Sequence, residues 1–446
     1  MSRFGSLADA PASFRLVGVR QIDPAAGTDA VRDLVVVDGV IASSGDAPTD
    51  LPALDGGGLV VTPGFCDLGA QAGEAGRDDL ARAAARGGWT SVCVASSAAL
   101  PLASAAEVRE IAGARSSARL RPVAALTDDA DEQLAELGAL ADAGAVAVGD
   151  ARSRSAALTR AALLYLAPLG LPLVVRPEEP TLAAGTLMRA GLVSSRLGLP
   201  GWPPSAELTM VERDLALAAE TGGRIHFAHL STAAAVEAVT RARLDGVAAT
   251  CSVTPHHVAL TDRWVAGERR FAWDEEASTS GAPAVDEEVA YDAACRVRPP
   301  LASAADSAAL RAAIAKGRVD AIATDHTPLP LQRKLVEFAA AEPGMIGLET
   351  ALSLGLAAVS AGELSLMALL AAMSARPAAM IGERRSLTAG TVADLVAFDP
   401  AATWCVERAA LASVHANTSL LGRELPGVVR LTVAEGRITY DDLLRA

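Results

Sequence analysis

Residues 59–95 read LVVTPGFCDLGAQAGEAGRDDLARAAARGGWTSVCVA. Two short apolar runs, Leu59–Asp67 and Thr90–Ala95, flank an Ala/Leu-rich stretch of helical character. Runs of this length rich in Val, Thr and Cys read as buried strands, and the stretch between them has the length of a crossover helix. The same unit recurs downstream. Further apolar runs fall at Pro122–Leu126, Ala145–Asp150, Pro172–Arg176, Ile225–Leu230, Val247–Val253 and Asp320–Asp325, again separated by Ala/Leu-rich stretches. Eight runs alternating with helices predict an α/β fold, a parallel (β/α)8 TIM barrel over residues 61–384. Plausible helix starts support the periodicity: Ser231-Thr232 before Ala233–Ala242, and Asp306 before Ser307–Lys316. The ends of the chain differ. Phe14–Val19, Leu34–Val37 and Val40–Ile41 at one end, and Asp394–Phe398, Val428–Ala434 and Arg437–Tyr440 at the other, are strands joined by turns such as Asp38-Gly39 and Glu435-Gly436. Residues 1–60 and 385–446 are therefore expected to form one small composite β-sandwich beside the barrel.

Composition narrows the function classes. Charged residues are 21% of the 446 and hydrophobic ones 51%, which excludes disorder for the bulk of the chain. The net charge is -14 and no Lys/Arg run occurs, so a nucleic-acid groove is not expected. Five scattered Cys without a CxxC argue against a zinc ribbon or a disulfide framework and fit a reducing cytoplasm. The most apolar stretch, Ala161–Val175, is interrupted by Pro168 and Pro172 and is too short to span a bilayer. No Walker loop, GxSxG elbow or dinucleotide fingerprint is present. Only six His and two Lys (Lys316 and Lys334) are available for metal or Schiff-base chemistry.

In a barrel of this kind the functional groups sit at the C-terminal ends of the strands. Those ends are Cys66–Gln71, Ala95–Ser97, Gly149-Asp150, Arg176–Glu179, His229–Thr232, Thr254–His257 and Thr324–Pro328. With VTPGFCDLG (61–69), ARGGWTSV (85–92), LGLPGWPPSAE (197–207), HLSTAAAVEAV (229–239), VTPHHVALTD (253–262), RVRPPL (296–301), ATDHTP (323–328), GLETAL (347–352) and GTVADLVAFDP (390–400), the chain resembles the dihydroorotases of the amidohydrolase superfamily over essentially its whole length.

That resemblance implies a site with two zinc ions bridged by hydroxide, which lower the pKa of water and polarise a ring carbonyl. The family places a His-x-His after the first strand, a bridging Asp or carboxylated Lys after the fourth, a His after each of the fifth and sixth, and an Asp after the eighth as ligand and proton shuttle. Here Asp150, His229 and Asp325 fall on residual ligand positions, Asp325 also on the residual catalytic position. The His-x-His positions hold Gly69 and Gln71, and the fifth-strand His is Arg176, a permanent cation that cannot ligate a metal. Neither Lys lies where a carboxylated bridge belongs. The substrate clamp is depleted as well: Gly73 stands at the family's Arg, Ser97 at an Asn and Arg298 at another Asn, while His326 and the loop Gly347-Leu348-Glu349 remain. Arg176 would neutralise Asp150 and Asp325, an expectation that requires its guanidinium to point at them. His226, His256, His257 and His415 read as structural. Glu178-Glu179 match a family acidic pair, Asp274–Glu276 and Asp286–Glu288 read as solvated loop acids, and Trp202 is either a partner anchor or a packing residue.

The expected function is therefore a dihydroorotase-like pseudoenzyme of pyrimidine biosynthesis. It would need no cofactor and would assemble with the aspartate transcarbamoylase catalytic subunit, with a homo-oligomer as a further possibility. One alternative is an active zinc-dependent dihydroorotase or other cyclic amidohydrolase, its metal held by Asp150, His229 and Asp325. Another is a non-catalytic binder of a pyrimidine-like ligand through His326.

Overall fold

The computed structural model describes residues 11–443 except 44–47, 49, 98–99, 129–132, 151–153, 275–284 and 287; the side chain of Asp150 also lies outside what is described. Eighteen strands are defined among the described residues. Eight of them form the barrel: β6 (Phe65–Ala70), β7 (Trp89–Ala95), β8 (Arg119–Ala125), β9 (Ala147–Asp150), β10 (Leu173–Val175), β13 (Ile225–Phe227), β14 (Ala249–Val253) and β15 (Ala321–Ile322). They run in chain order around the sheet and every adjacent pair is parallel. A bridge between Ala70 and His326, with Gln71 N donating to His326 O at 2.8 Å, brings the last strand back to the first. All eight apolar runs supply a strand, with helices between them, so the barrel stands.

The terminal strands form one eight-stranded mixed sheet. It contains β1 (Phe14–Asp23), β2 (Thr28–Val37), β3 (Val40–Ala42), β4 (Ala53–Asp55), β5 (Val60–Pro63), β16 (Leu395–Cys405), β17 (Glu424–Ala434) and β18 (Arg437–Asp441). The path β18-β17-β16-β5-β1-β2-β3 joins the two ends of the chain through β5. Alternate residues Phe14, Leu16, Leu34, Val36, Leu395, Ala397, Leu431 and Val433 bury one shared core, as the period of two in a strand dictates. The run from Leu59 to Asp67 is thus two strands in two sheets, parted by Gly64 alone. A Cβ at Gly64 would lie 2.3 Å from the Thr90 side chain, so the crossing requires glycine.

Helix starts follow capping chemistry. Thr232 caps Ala233–Leu244 by accepting from Ala235 N, and Ser303 caps Ala304–Ala315 by accepting from Asp306 N. The second helix begins three residues earlier than Asp306 suggests, because Ser303 is the better-placed cap and Asp306 sits in the first turn. A remaining pair, β11 (Met188–Arg189) and β12 (Gly201–Trp202), lies in the long connection after β10. Trp202 is fully buried there with the Arg189 guanidinium 5.3 Å from its ring centre, so it is a packing residue and not an exposed anchor.

The connection from β16 to β17 leaves the terminal sheet and is stitched to the barrel. Glu349 accepts from the amides of Ala412 (2.7 Å) and Ser413 (3.0 Å), Asp79 from that of Val414 (3.1 Å), and Asn417 bonds Thr327 O, Gly344 O and Leu329 N. Burial raises the Glu349 pKa to about 7, against the opposing pull of those amides and of Arg86. A folded-state pKa above the unfolded one contributes stability that is full below the unfolded value and lost as pH rises through the folded one. Urea midpoints between pH 5 and 8 should therefore carry a downward slope from Glu349. Glu349→Gln should flatten that slope while lowering the folding free energy by about 1–2 kcal/mol through mismatched hydrogen bonds; an unchanged slope in the variant would assign it to other groups.

Candidate functional site

The barrel mouth is built where β6, β10, β13 and β15 end. After β15 the chain turns at Asp325, and after β13 at His229; both are non-glycine residues with left-handed backbone (φ 49° and 61°). Such conformations are uncommon and are held in place by their surroundings. The surroundings are visible here. Asp67, in the middle of β6, is completely buried and accepts from Thr324 N (2.8 Å), Thr324 Oγ1 (2.5 Å) and Gly69 N (3.4 Å). It ties the first strand to the last directly beneath Asp325. Burial lifts its pKa to about 7, with those hydrogen bonds pulling the other way. On the β13 side, buried Glu207 accepts from Ser231 N, Ser231 Oγ and Thr232 N, each at 2.9 Å, and from Thr232 Oγ1 at 2.5 Å. This fixes the turn that follows His229.

Between these two turns lies Arg176, the residue after β10. Its Nη2 donates to Asp325 Oδ1 at 2.6 Å and contacts His229 Nδ1 at 3.1 Å. Guanidinium has no acceptor, so His229 Nδ1 must accept and its proton must reside on Nε2. Burial first, and then Arg176, hold the His229 pKa well below its ordinary value, so the ring is neutral. Burial raises the Asp325 carboxyl, and Arg176 chiefly opposes it. The pairing expected of Arg176 is present for Asp325; for Asp150, only its backbone place on β9 beside Val175 is described.

The other positions complete the picture. A Cβ on Gly69 would lie 2.6 Å from His229 Nε2, so the ring of His229 occupies the space a side chain at 69 would need. Gln71 is half-buried and engages His326 through its backbone. Gly73 has φ +59°, and a Cβ there would lie 2.8 Å from Pro328 O. Ser97 turns back on its own loop, accepting from Leu100 N at 3.2 Å. Arg298 forms an ion pair with Glu178, Nε to Oε2 at 2.7 Å. His326 is buried; its Nδ1 accepts from Gly347 N (3.2 Å) and Leu348 N (3.4 Å), and its Nε2 has no partner within the protein. Burial lowers its pKa to about 3.

His226 bonds Thr250 and Ser252, and His257 bonds Thr254 and the carbonyls of Pro299 and Pro300, as structural residues do. His256 is buried against His257 with ring centres 4.6 Å apart, and His415 is half-buried. Glu179 caps the short helix Pro180–Ala183. Asp286 accepts from Glu288 N, while Glu276 lies outside the described residues.

These residues do not fit a binuclear metal. The lone pair of His229 Nδ1 and one oxygen of Asp325 are both taken by a permanent cation, and a zinc ion wants about three unprotonated protein ligands. Among the described residues no group of three His, Cys, Asp or Glu is arranged to hold one. No step of chemistry is therefore derived through a metal. Sequence reading passed over the two carboxylates that shape this mouth, Asp67 and Glu207. Their signal was an acid embedded in an apolar strand run and an acid at the start of an Ala/Leu-rich helix.

Comparison with known proteins agrees with this architecture. The family described as dihydro-orotase-like matches residues 58–235. A dihydroorotase from Anaeromyxobacter dehalogenans is 40% identical over 442 residues, covering 95% of this chain and 97% of that one. One from Geobacter sp. strain M21 is 37% identical over 439 residues, covering 95% and 98%. Among solved structures, the L-hydantoinase of Arthrobacter aurescens superposes with a TM-score of 0.80 at 22% identity, over 96% of each chain. The dihydropyrimidinase of Brevibacillus agri does so with 0.77 at 18% identity, over 97% and 95%. Among the described residues no helix is long and apolar enough to cross a membrane.

Proposed function

The chain belongs to the dihydroorotase family, and from that premise we propose that it is a non-catalytic member which serves pyrimidine biosynthesis by assembling with the aspartate transcarbamoylase catalytic subunit. The carrying observation is the Arg176 guanidinium on Asp325 Oδ1 and His229 Nδ1, one donor atom from each of two residual ligand positions. A cation supplied by the chain replaces one supplied from solution. Gly69, Gln71, Gly73 and Ser97 support the same reading, since ligand and substrate positions are altered together. Asp325 then serves as the partner of Arg176 and not as a base, and no cofactor is required.

The test is metal analysis with a dihydroorotate hydrolysis assay on protein purified in added zinc. The expected result is no stoichiometric zinc and no turnover, together with co-elution of the transcarbamoylase subunit. Bound zinc with turnover would overturn the reading. The set Gly69→His, Gln71→His and Arg176→His is expected to take up zinc, because it removes the guanidinium and adds three ligands; His229 must rotate away from position 69 to allow it. Adding Gly73→Arg should impair folding, since φ +59° and the Pro328 carbonyl both oppose a side chain there.

A second reading, retained hydrolysis of a cyclic amide, is favoured by the 40% identity to proteins named dihydroorotase. It would need Asp150, His229 and Asp325 to hold a metal after Arg176 withdraws. A third, a pyrimidine-like ligand held without turnover, draws on the unpartnered His326 Nε2 and predicts a thermal shift with orotate-like compounds.

A further inference from the structure

We draw no further inference here: the strongest candidate, the buried polar cluster behind the turn after β13, where the Arg189 guanidinium and the Trp202 indole keep N–H donors that no acceptor among the described residues takes, is enclosed beside Glu207 and Asp306, whose carboxylates already answer its charge, and nothing in the structure shows an approach to it or what would occupy it.

Discussion

Arg176→Met is expected to lower the folding free energy by about 3–5 kcal/mol, the cost of stranding a buried carboxylate by removing its cation. Asp325 is almost fully enclosed and Arg176 nearly so, so solvent screens the pair little. Met keeps most of the apolar stem while removing the charge, so the loss reports on the ion pair more than on packing. The second arm is decisive. Asp325→Asn on the Arg176→Met background should recover much of the loss, because a neutral amide needs no counter-charge and Asn tolerates the left-handed backbone at φ 49°. The coupling energy from the double-mutant cycle should lie well above the few tenths expected of independent sites. Urea midpoints at pH 7 measure it; additive effects would mean that Arg176 stabilises the mouth by packing alone.

Glu207→Ala should cost on the order of 4 kcal/mol or more, through several buried donors left without an acceptor. Ser231 and Thr232 lose both their amide and hydroxyl partners. The damage spreads, because Thr232 Oγ1 also caps the helix Ala233–Leu244 and Arg189 loses a nearby negative charge. Glu207→Gln keeps one acceptor and places an amide donor against the other pair, so about half the loss is expected. A urea midpoint unchanged in the Ala variant would show that the turn after His229 holds itself. Glu207 holds the turn that carries His229, which Arg176 contacts, so its effect should couple to that of Arg176→Met and not simply add.

Much of this was legible from the sequence, for identifiable reasons. The barrel strands announced themselves because parallel strands are buried on both faces and read as apolar runs. The site residues could be placed because strand ends are where a barrel puts its chemistry. The orientation of Arg176 toward Asp325 followed from charge: a buried carboxylate beside a guanidinium has few stable alternatives. Other features were not legible. Trp202 looked exposed amid prolines, yet its burial depends on Arg189 and Ala183 arriving from earlier in the chain. The run at Leu59–Asp67 looked like one strand because periodicity carries no sign of which sheet a residue joins. The left-handed turns at His229 and Asp325 arise from contacts with Glu207 and Asp67 that lie far away in sequence.

The single residue between β5 and β6 has a mechanical consequence. Val60–Pro63 is hydrogen-bonded into the terminal sheet, Phe65–Ala70 is the first stave of the barrel, and Gly64 offers one residue of slack. Its amide is itself bonded to Asp394 O at 2.9 Å. Multidomain enzymes often move by rotating about a flexible tether, but this chain has none at that crossing. At the far side the β16–β17 connection grips the loop after the last stave. Strain applied to the sheet is therefore passed straight to both edges of the barrel seam, the place where Asp67 holds Thr324. The terminal sheet and the barrel are thus fastened at both edges of one seam, with no tether between them at the Gly64 crossing.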